Sequence, residues 1–307
     1  MERAYLGGIS VSRIVLGCGN FGGVGSSPAF FGQGETKDDA FAVMDAAWDA
    51  GITTFDTADA YGGGRSESYI GEWVRSRGRP DGLVLSTKTF NPMSEGADHG
   101  LAPARVRRQV ESSLQRLGVE RVELFLTHAW DGDVPIAETA ATLDELVAEG
   151  KIGAYGVSNV DGAHLTEALA AGSFAWVQNS YSLLDREAED EVLPLCAEHG
   201  LGFEPFSPLA GGWLTGKYRR GADVPAGSRM TMRPEPYEHL RDDAVYDRLE
   251  RLEAMGDPAT LALSWLLSDP RVTAIVVGPR RPAHLTPALD AAPLDAEQRD
   301  EIAALFS

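Results

Sequence analysis

The segment IVLGCGNFGGVG, residues 14–25, decides between two folds. An apolar run enters a glycine-rich turn, and the letters GCGNFG at 17–22 match the G-x-G-x-x-G of a dinucleotide-binding open sheet. That fingerprint requires the turn to open directly into a helix, whose N-terminus then meets the pyrophosphate. Here about fifteen more residues pass before a helix can begin. Thr36 and Asp39 resemble a capping box ahead of the stripe Phe41, Met44 and Trp48. The fingerprint is discounted, and the rest of the chain has to choose the architecture.

Working outward, short apolar runs alternate with amphipathic segments. The strands expected from this pattern are 14–17, 53–57, 83–88, 122–128, 153–159, 175–179, 202–207 and 274–278. Runs this apolar suit strands covered on both faces, as in a parallel sheet. Helix signals lie between them. Ser66 and Asp161 are candidate N-caps, Pro103 suits a first turn, and Pro135 precedes Leu143, Leu146 and Val147. Gly51, Gly118, Gly150, Gly172 and Gly200 follow helical patterns where a left-handed cap is expected. Eight strand–helix units in one unbroken series favour a closed (β/α)8 TIM barrel over an open sheet. We read residues 1–307 as a single barrel domain. YLGGISVS is an N-terminal hairpin closing the bottom, and a long loop follows strand seven, from Ala210 to about Asp257.

Composition narrows the function. The net charge of −19 disfavours nucleic acid and anionic membranes, which reward positive charge. No unbroken apolar stretch could span a bilayer and no signal pattern opens the chain. Two distant cysteines, Cys18 and Cys196, suggest no disulfide framework, and the six histidines show no metal-ligand spacing. A reducing, cytoplasmic setting is expected. No feature sets an oligomeric state.

In such a barrel the C-terminal strand ends meet at one rim, where active sites form. Asp56 ends the second strand, Lys88 the third and His128 the fourth, while Tyr61 lies in the loop after the second. Singly, each is an ordinary turn or surface residue; together, on adjacent strands, they make a site. A free phenol titrates near 10, but an adjacent ammonium stabilises its anion and lowers that value. A carboxylate keeps the ammonium charged and in place. The tyrosine can then protonate an oxygen becoming an alkoxide, with a histidine holding that oxygen. This is the chemistry of carbonyl reduction, whose hydride must come from a cofactor because no side chain can donate one.

Those residues carry a resemblance. GITTFDTADAYGGGRSESYIG (51–71), LVLSTK (83–88) and VELFLTHAWD (122–131) are similar to the motifs of the aldo-keto reductase superfamily, over nearly the whole chain. The resemblance implies a (β/α)8 barrel using NADPH, or NADH in some members. It implies a catalytic tetrad of Asp56, Tyr61, Lys88 and His128, with Tyr61 as general acid. GKIGAYGVSN and WVQNSYSLLDR resemble the stretches that hold the nicotinamide amide, implying Ser158, Asn159 and Gln178, with Asp56 near the ribose. PFSPLAGGWLTGKY resembles the loop that stacks an aromatic ring on the nicotinamide and cradles the pyrophosphate, implying Phe206, Ser207, Leu209, Gly211 and Lys217. Asn20 in the first strand's loop joins the cofactor set. VVGPRRPAHLTPALDA resembles the adenosine-end stretch through Gly278 and Arg280, yet His284, Pro287 and Ala288 stand where the family places its adenine-contacting residues. Arg280 and Arg281 suit a 2′-phosphate, and Lys217, Arg219 and Arg220 add positive charge in an acidic chain, favouring NADPH.

Phe21, Phe30, Phe31, Trp130 and Trp213 are candidates for an aromatic substrate mouth, which would prefer an apolar or ring-shaped carbonyl compound. The short C-terminus resembles the bacterial-type and channel-subunit-like branches. The expected function is NAD(P)H-dependent reduction of an aldehyde or ketone. The competing expectation is an NADPH-binding regulatory or sensor subunit with little turnover.

Overall fold

The apolar runs do form parallel strands, because each is covered by side chains on both faces. The computed structural model describes residues 1–307. A hairpin, β1 (Arg3–Leu6) and β2 (Ile9–Ser12), pairs antiparallel. Eight parallel strands follow: β3 (Ile14–Gly17), β4 (Thr54–Asp56), β5 (Val84–Thr89), β6 (Val122–Thr127), β7 (Ile152–Ser158), β8 (Trp176–Gln178), β9 (Gly202–Phe203) and β10 (Ile275–Val277). Their order is β10-β3-β4-β5-β6-β7-β8-β9. Backbone bonds from Thr273 N to Phe203 O (2.8 Å) and from Val276 N to Pro205 O (3.0 Å) join the two ends, so the sheet curls on itself. β9 is shorter than expected because Pro205 has no N–H to give the ladder.

The helices between strands are α1 (Lys37–Asp49), α2 (Arg65–Ser76), α3 (Pro103–Leu117), α4 (Ile136–Ala148), α5 (Gly162–Ala171) and α6 (Val192–His199). The loop after β9 is long, as expected, and carries α7 (Arg229–Met232) and α8 (Asp243–Met255) before α9 (Pro258–Leu267). α10 (Thr286–Asp290) and α11 (Ala296–Leu305) follow β10. None is long and apolar enough to cross a membrane.

Alternation sorts the strand side chains into two cores. A cluster of 63 buried residues lies between strands and helices. A smaller one of nine, including Val15, Val84, Leu124, Leu126, Trp176 and Val276, fills the barrel interior. Leu6 and Val11 belong to this inner cluster, so the hairpin plugs the bottom. Gly7 makes the plug fit: a Cβ there would stand 2.6 Å from that of Ala154.

Local signals mostly hold. Thr36 and Asp39 form the capping box, and Asp161 accepts from His164 N. Two do not. Ser66 lies inside α2, with left-handed Gly64 at the cap position, and its hydroxyl donates instead to Cys18 O at 2.9 Å. Gly172 is extended, with φ −167°, rather than left-handed.

Gly71 lets α2 approach α3. An added Cβ would lie 2.1 Å from Arg116 O, a backbone atom that cannot swing away. Gly71→Ala is expected to lower stability by about 1–3 kcal/mol through overpacking, read as an earlier urea midpoint.

Candidate active site

The rim formed by β4, β5 and β6 brings together the residues expected there. Lys88 is fully buried, and its Nζ donates to Asp56 Oδ1 and Oδ2 at 2.6 and 2.5 Å and to Thr57 O at 2.8 Å. The same Nζ lies 5.2 Å from the centre of the Tyr61 ring. Tyr61 Oη is 3.4 Å from His128 Nε2, and the two rings meet edge to face. Asn91 Nδ2 donates to His128 Nδ1 at 3.2 Å. In a neutral imidazole the proton then sits on Nε2, facing the phenol.

Electrostatics keep that ring neutral. Burial and the Lys88 ammonium push His128 down to about 3, so the ring is uncharged at neutral pH. For Tyr61 the sign differs from the expectation. Burial raises the phenol above its usual value, and Lys88 offsets this only in part. Lys88 itself is held above the ordinary lysine value by Asp56 and Tyr61, although burial opposes this. Together these groups offer two hydrogen-bond donors, Tyr61 Oη and His128 Nε2, to one oxygen atom, backed by a buried cation.

Beneath this cluster Arg105 donates to Thr89 Oγ1 (2.8 Å), Gly100 O (2.9 Å) and Asn91 O (2.8 Å), and Thr89 donates to buried Asp59 at 2.5 Å. The network ties the ends of β4 and β5 together. Nothing short-range in the sequence singled out Asn91 or Arg105.

The other half of the rim holds the residues assigned to a dinucleotide. Gln178 Nε2 donates to Asp56 Oδ1 at 3.1 Å, which links β8 to the tetrad. Asn159, at φ +56°, donates from Nδ2 to His128 O (2.8 Å) and to Ser158 Oγ (3.1 Å). Phe206 is half-buried and packs on the inner cluster. Beyond it Ser207 and Ala210 both have positive φ, and the N–H groups of Ser207 and Leu209 take no acceptor within the protein. Tyr237 from the long loop leans over Gly211, its Oη 3.3 Å from Ser207 Oγ.

Further round lies a group of cations. Arg229 Nη2 donates to Asn20 Oδ1 at 2.9 Å, and Gly278 lies against the Asn20 amide. Arg280 pairs with Glu35 and with Gly227 O, while Arg281 is exposed and its guanidinium makes no hydrogen bond. Burial, with Arg229 and Arg280 nearby, lowers Lys217 below the usual lysine value. Arg229 and Glu35 are additions the sequence reading lacked; positive charge in an acidic chain was the only signal for the former. Arg219 and Arg220 drop out, because α8 neutralises them: Arg219 pairs with Glu253, and Arg220 with Asp243, Asp247 and Glu250.

The aromatic mouth needs the most correction. Phe21 and Trp213 are core residues, 0% and 1% exposed. Trp213 packs on Tyr218 and Tyr246, at 5.0 and 5.6 Å between ring centres. Phe31 lies against Gly63, close in sequence to Tyr61, and Arg233 lies 6.0 Å from the Phe30 ring centre. Trp130 stacks on His164 at 4.4 Å. These three are partly exposed.

Comparison with known proteins identifies the family. The family model described as "Aldo/keto reductase family" matches residues 13–306. An uncharacterized oxidoreductase, YrpG, of Bacillus subtilis is 37% identical over 91% of this chain and 87% of its own. An NADH-specific methylglyoxal reductase of Escherichia coli is 33% identical over 93% of this chain and 91% of its own. The solved structure of a glycerol dehydrogenase from Gluconobacter oxydans superposes with a TM-score of 0.84 at 26% identity, covering 99% of this chain and 94% of that one. An eight-stranded parallel barrel with carboxylate, phenol, ammonium and imidazole on one rim, matched from end to end, makes this chain a member of the aldo/keto reductase family.

Proposed function

We propose that this protein reduces the carbonyl of a small aldehyde or ketone to an alcohol, using a reduced nicotinamide dinucleotide. The observation that carries the reading is the convergence of Tyr61 Oη and His128 Nε2 above the Lys88–Asp56 pair. The cofactor, when bound, supplies hydride to the carbonyl carbon. His128 Nε2 holds the carbonyl oxygen, and Tyr61 Oη passes its proton to that oxygen as charge develops there. Lys88 stabilises the phenolate left behind, and Asp56 keeps Lys88 charged and in place. Burial of the set makes these interactions stronger than in water.

The donor set fits a dinucleotide. Ser158, Asn159 and Gln178 would hold the nicotinamide amide, and Phe206 would stack on its ring. The free N–H groups of Ser207 and Leu209, with Gly211, Lys217, Arg229, Asn20, Gly278 and Arg280, would take the phosphates and ribose. Lys217, Arg229 and Arg281, none of them paired with a carboxylate, support a 2′-phosphorylated cofactor, whereas Arg280 is already held by Glu35; NADPH is therefore the first choice and NADH the second. Buried free thiols at Cys18 and Cys196 fit a reducing, cytoplasmic setting.

The test is turnover of NADPH and NADH with a panel of aldehydes and ketones. Carbonyl-dependent oxidation of the cofactor is expected, with a higher kcat/KM for NADPH than NADH. Raised salt should erode the NADPH advantage, because screening weakens an exposed phosphate contact more than a neutral one. Tight NADPH binding with no turnover on any carbonyl would reject the reductase reading.

A further inference from the structure

A second acid lies behind Gln178 that the tetrad does not use. Glu204 follows β9, and strand alternation turns it into the barrel, toward Trp176 and Gln178 of β8 and Val276 of β10. It is 1% exposed. Its Oε2 accepts from Gln178 Nε2 at 2.7 Å, and the same nitrogen donates to Asp56 Oδ1 at 3.1 Å. Its Oε1 has no partner. One amide NH2 thus holds two carboxyl groups side by side. The buried cation nearby, Lys88, already spends its donors on Asp56 and Thr57 O. Two carboxylates sharing one ammonium in a dry site do not both ionise readily, and the one with a bare oxygen is the one to keep a proton.

We infer that Glu204 is a positioning residue, held as a neutral acid in the working enzyme, that locks the Gln178 amide and ends carbonyl reduction at alkaline pH. The inference rests on the reading of Tyr61 as proton donor. With both Nε2 hydrogens directed at carboxyl oxygens, Oε1 is the free atom of the Gln178 amide. With Glu204 neutral, Lys88 and Asp56 balance, and the phenolate formed at Tyr61 meets only one carboxylate. Asp56 of β4 and Lys88 of β5 are the charged groups that act on Glu204; β8 and β10 present neutral side chains. Burial and Asp56 raise its pKa to about 8, against Gln178 and Lys88. Above that pH it gives its proton to solvent, the site gains a negative charge, and Tyr61 parts with its own proton less easily.

The test compares wild type with Glu204→Gln, which keeps the size and an acceptor for Gln178. Wild-type kcat for reduction should fall about tenfold between pH 7.5 and 9.5, and that of E204Q less than about twofold. Asp59, raised to about 7 by burial, titrates alike in both proteins and cancels in the comparison.

A second readout uses the protein without cofactor. A carboxyl with a raised folded pKa stabilises fully below its unfolded value, near 4.3, and loses that contribution as pH rises toward 8. The Tm of E204Q should therefore gain on wild type by several degrees from about pH 5 to 8, then level off. A Tm difference independent of pH would show Glu204 ionised and overturn the proposal. A pH-dependent Tm difference with superimposable rate profiles would overturn the positioning role. If wild type reduces no carbonyl, the reductase reading fails, and the melting comparison still decides the state of Glu204. If E204Q does not fold, Glu204→Leu takes its place in both measurements.

Discussion

Tyr61→Phe is expected to lower kcat for carbonyl reduction by about 10²–10⁴-fold while leaving dinucleotide affinity near the wild-type value. The substitution removes one oxygen, which lies 3.4 Å from His128 Nε2, and leaves the ring in place, so packing and fold are little affected. The ring remains beside Lys88 Nζ, and the cation stays held by Asp56. What disappears is the proton delivered to the developing alkoxide. Stopped-flow cofactor oxidation gives the rate, and quenching of tryptophan fluorescence gives the affinity. A variant retaining a third or more of wild-type kcat would remove Tyr61 from the proton transfer. Neutral His128 does not replace it: its pKa is pushed to about 3, so giving up the Nε2 proton would leave an imidazolate, not a neutral ring.

Lys88→Met should be the most destabilising single change at the site. The ammonium is fully buried, and its removal strands a carboxylate that is 3% exposed together with the Thr57 carbonyl. Breaking a buried pair from one side costs about 3–5 kcal/mol, because the surviving charge has no compensation. Urea unfolding should show this as a lower midpoint with little change in slope. Adding Asp56→Leu should recover most of the loss, since an apolar pair of similar volume is tolerated where a lone charge is not. The double variant should still be inactive, with no cation left to stabilise the phenolate. Recovery of both stability and turnover would mean that the pair serves the fold and not the reaction.

The candidate site was legible where chemistry sits at strand ends. Asp56, Lys88 and His128 each end or closely follow a strand, and a barrel turns the ends of adjacent strands into one rim. Tyr61 came with them because its loop is short. The aromatic mouth was not legible. Phe21 and Trp213 occupy loop-like sequence, yet both are core, because an aromatic ring in a long loop reads the same whether it faces solvent or packs beneath. Arg229 meets Asn20 across 209 positions of sequence, and no local pattern signals a contact of that span. Arg219 and Arg220 looked like part of an anion site until α8 folded back onto them.

By itself, the sequence determined the eight strand–helix units, the capping of α1 and α5, the hairpin, the long loop after β9 and the identity of the four rim residues. Periodicity, caps and turns depend on neighbours a few positions away, so they can be read along the chain. Only the tertiary structure decided which charges are free and which are spent: Arg280 on Glu35, Lys88 on Asp56, and Gln178 shared between Asp56 and Glu204. Desolvation and ion pairing depend on distance in space, and barrel closure sets those distances only after distant strands have met.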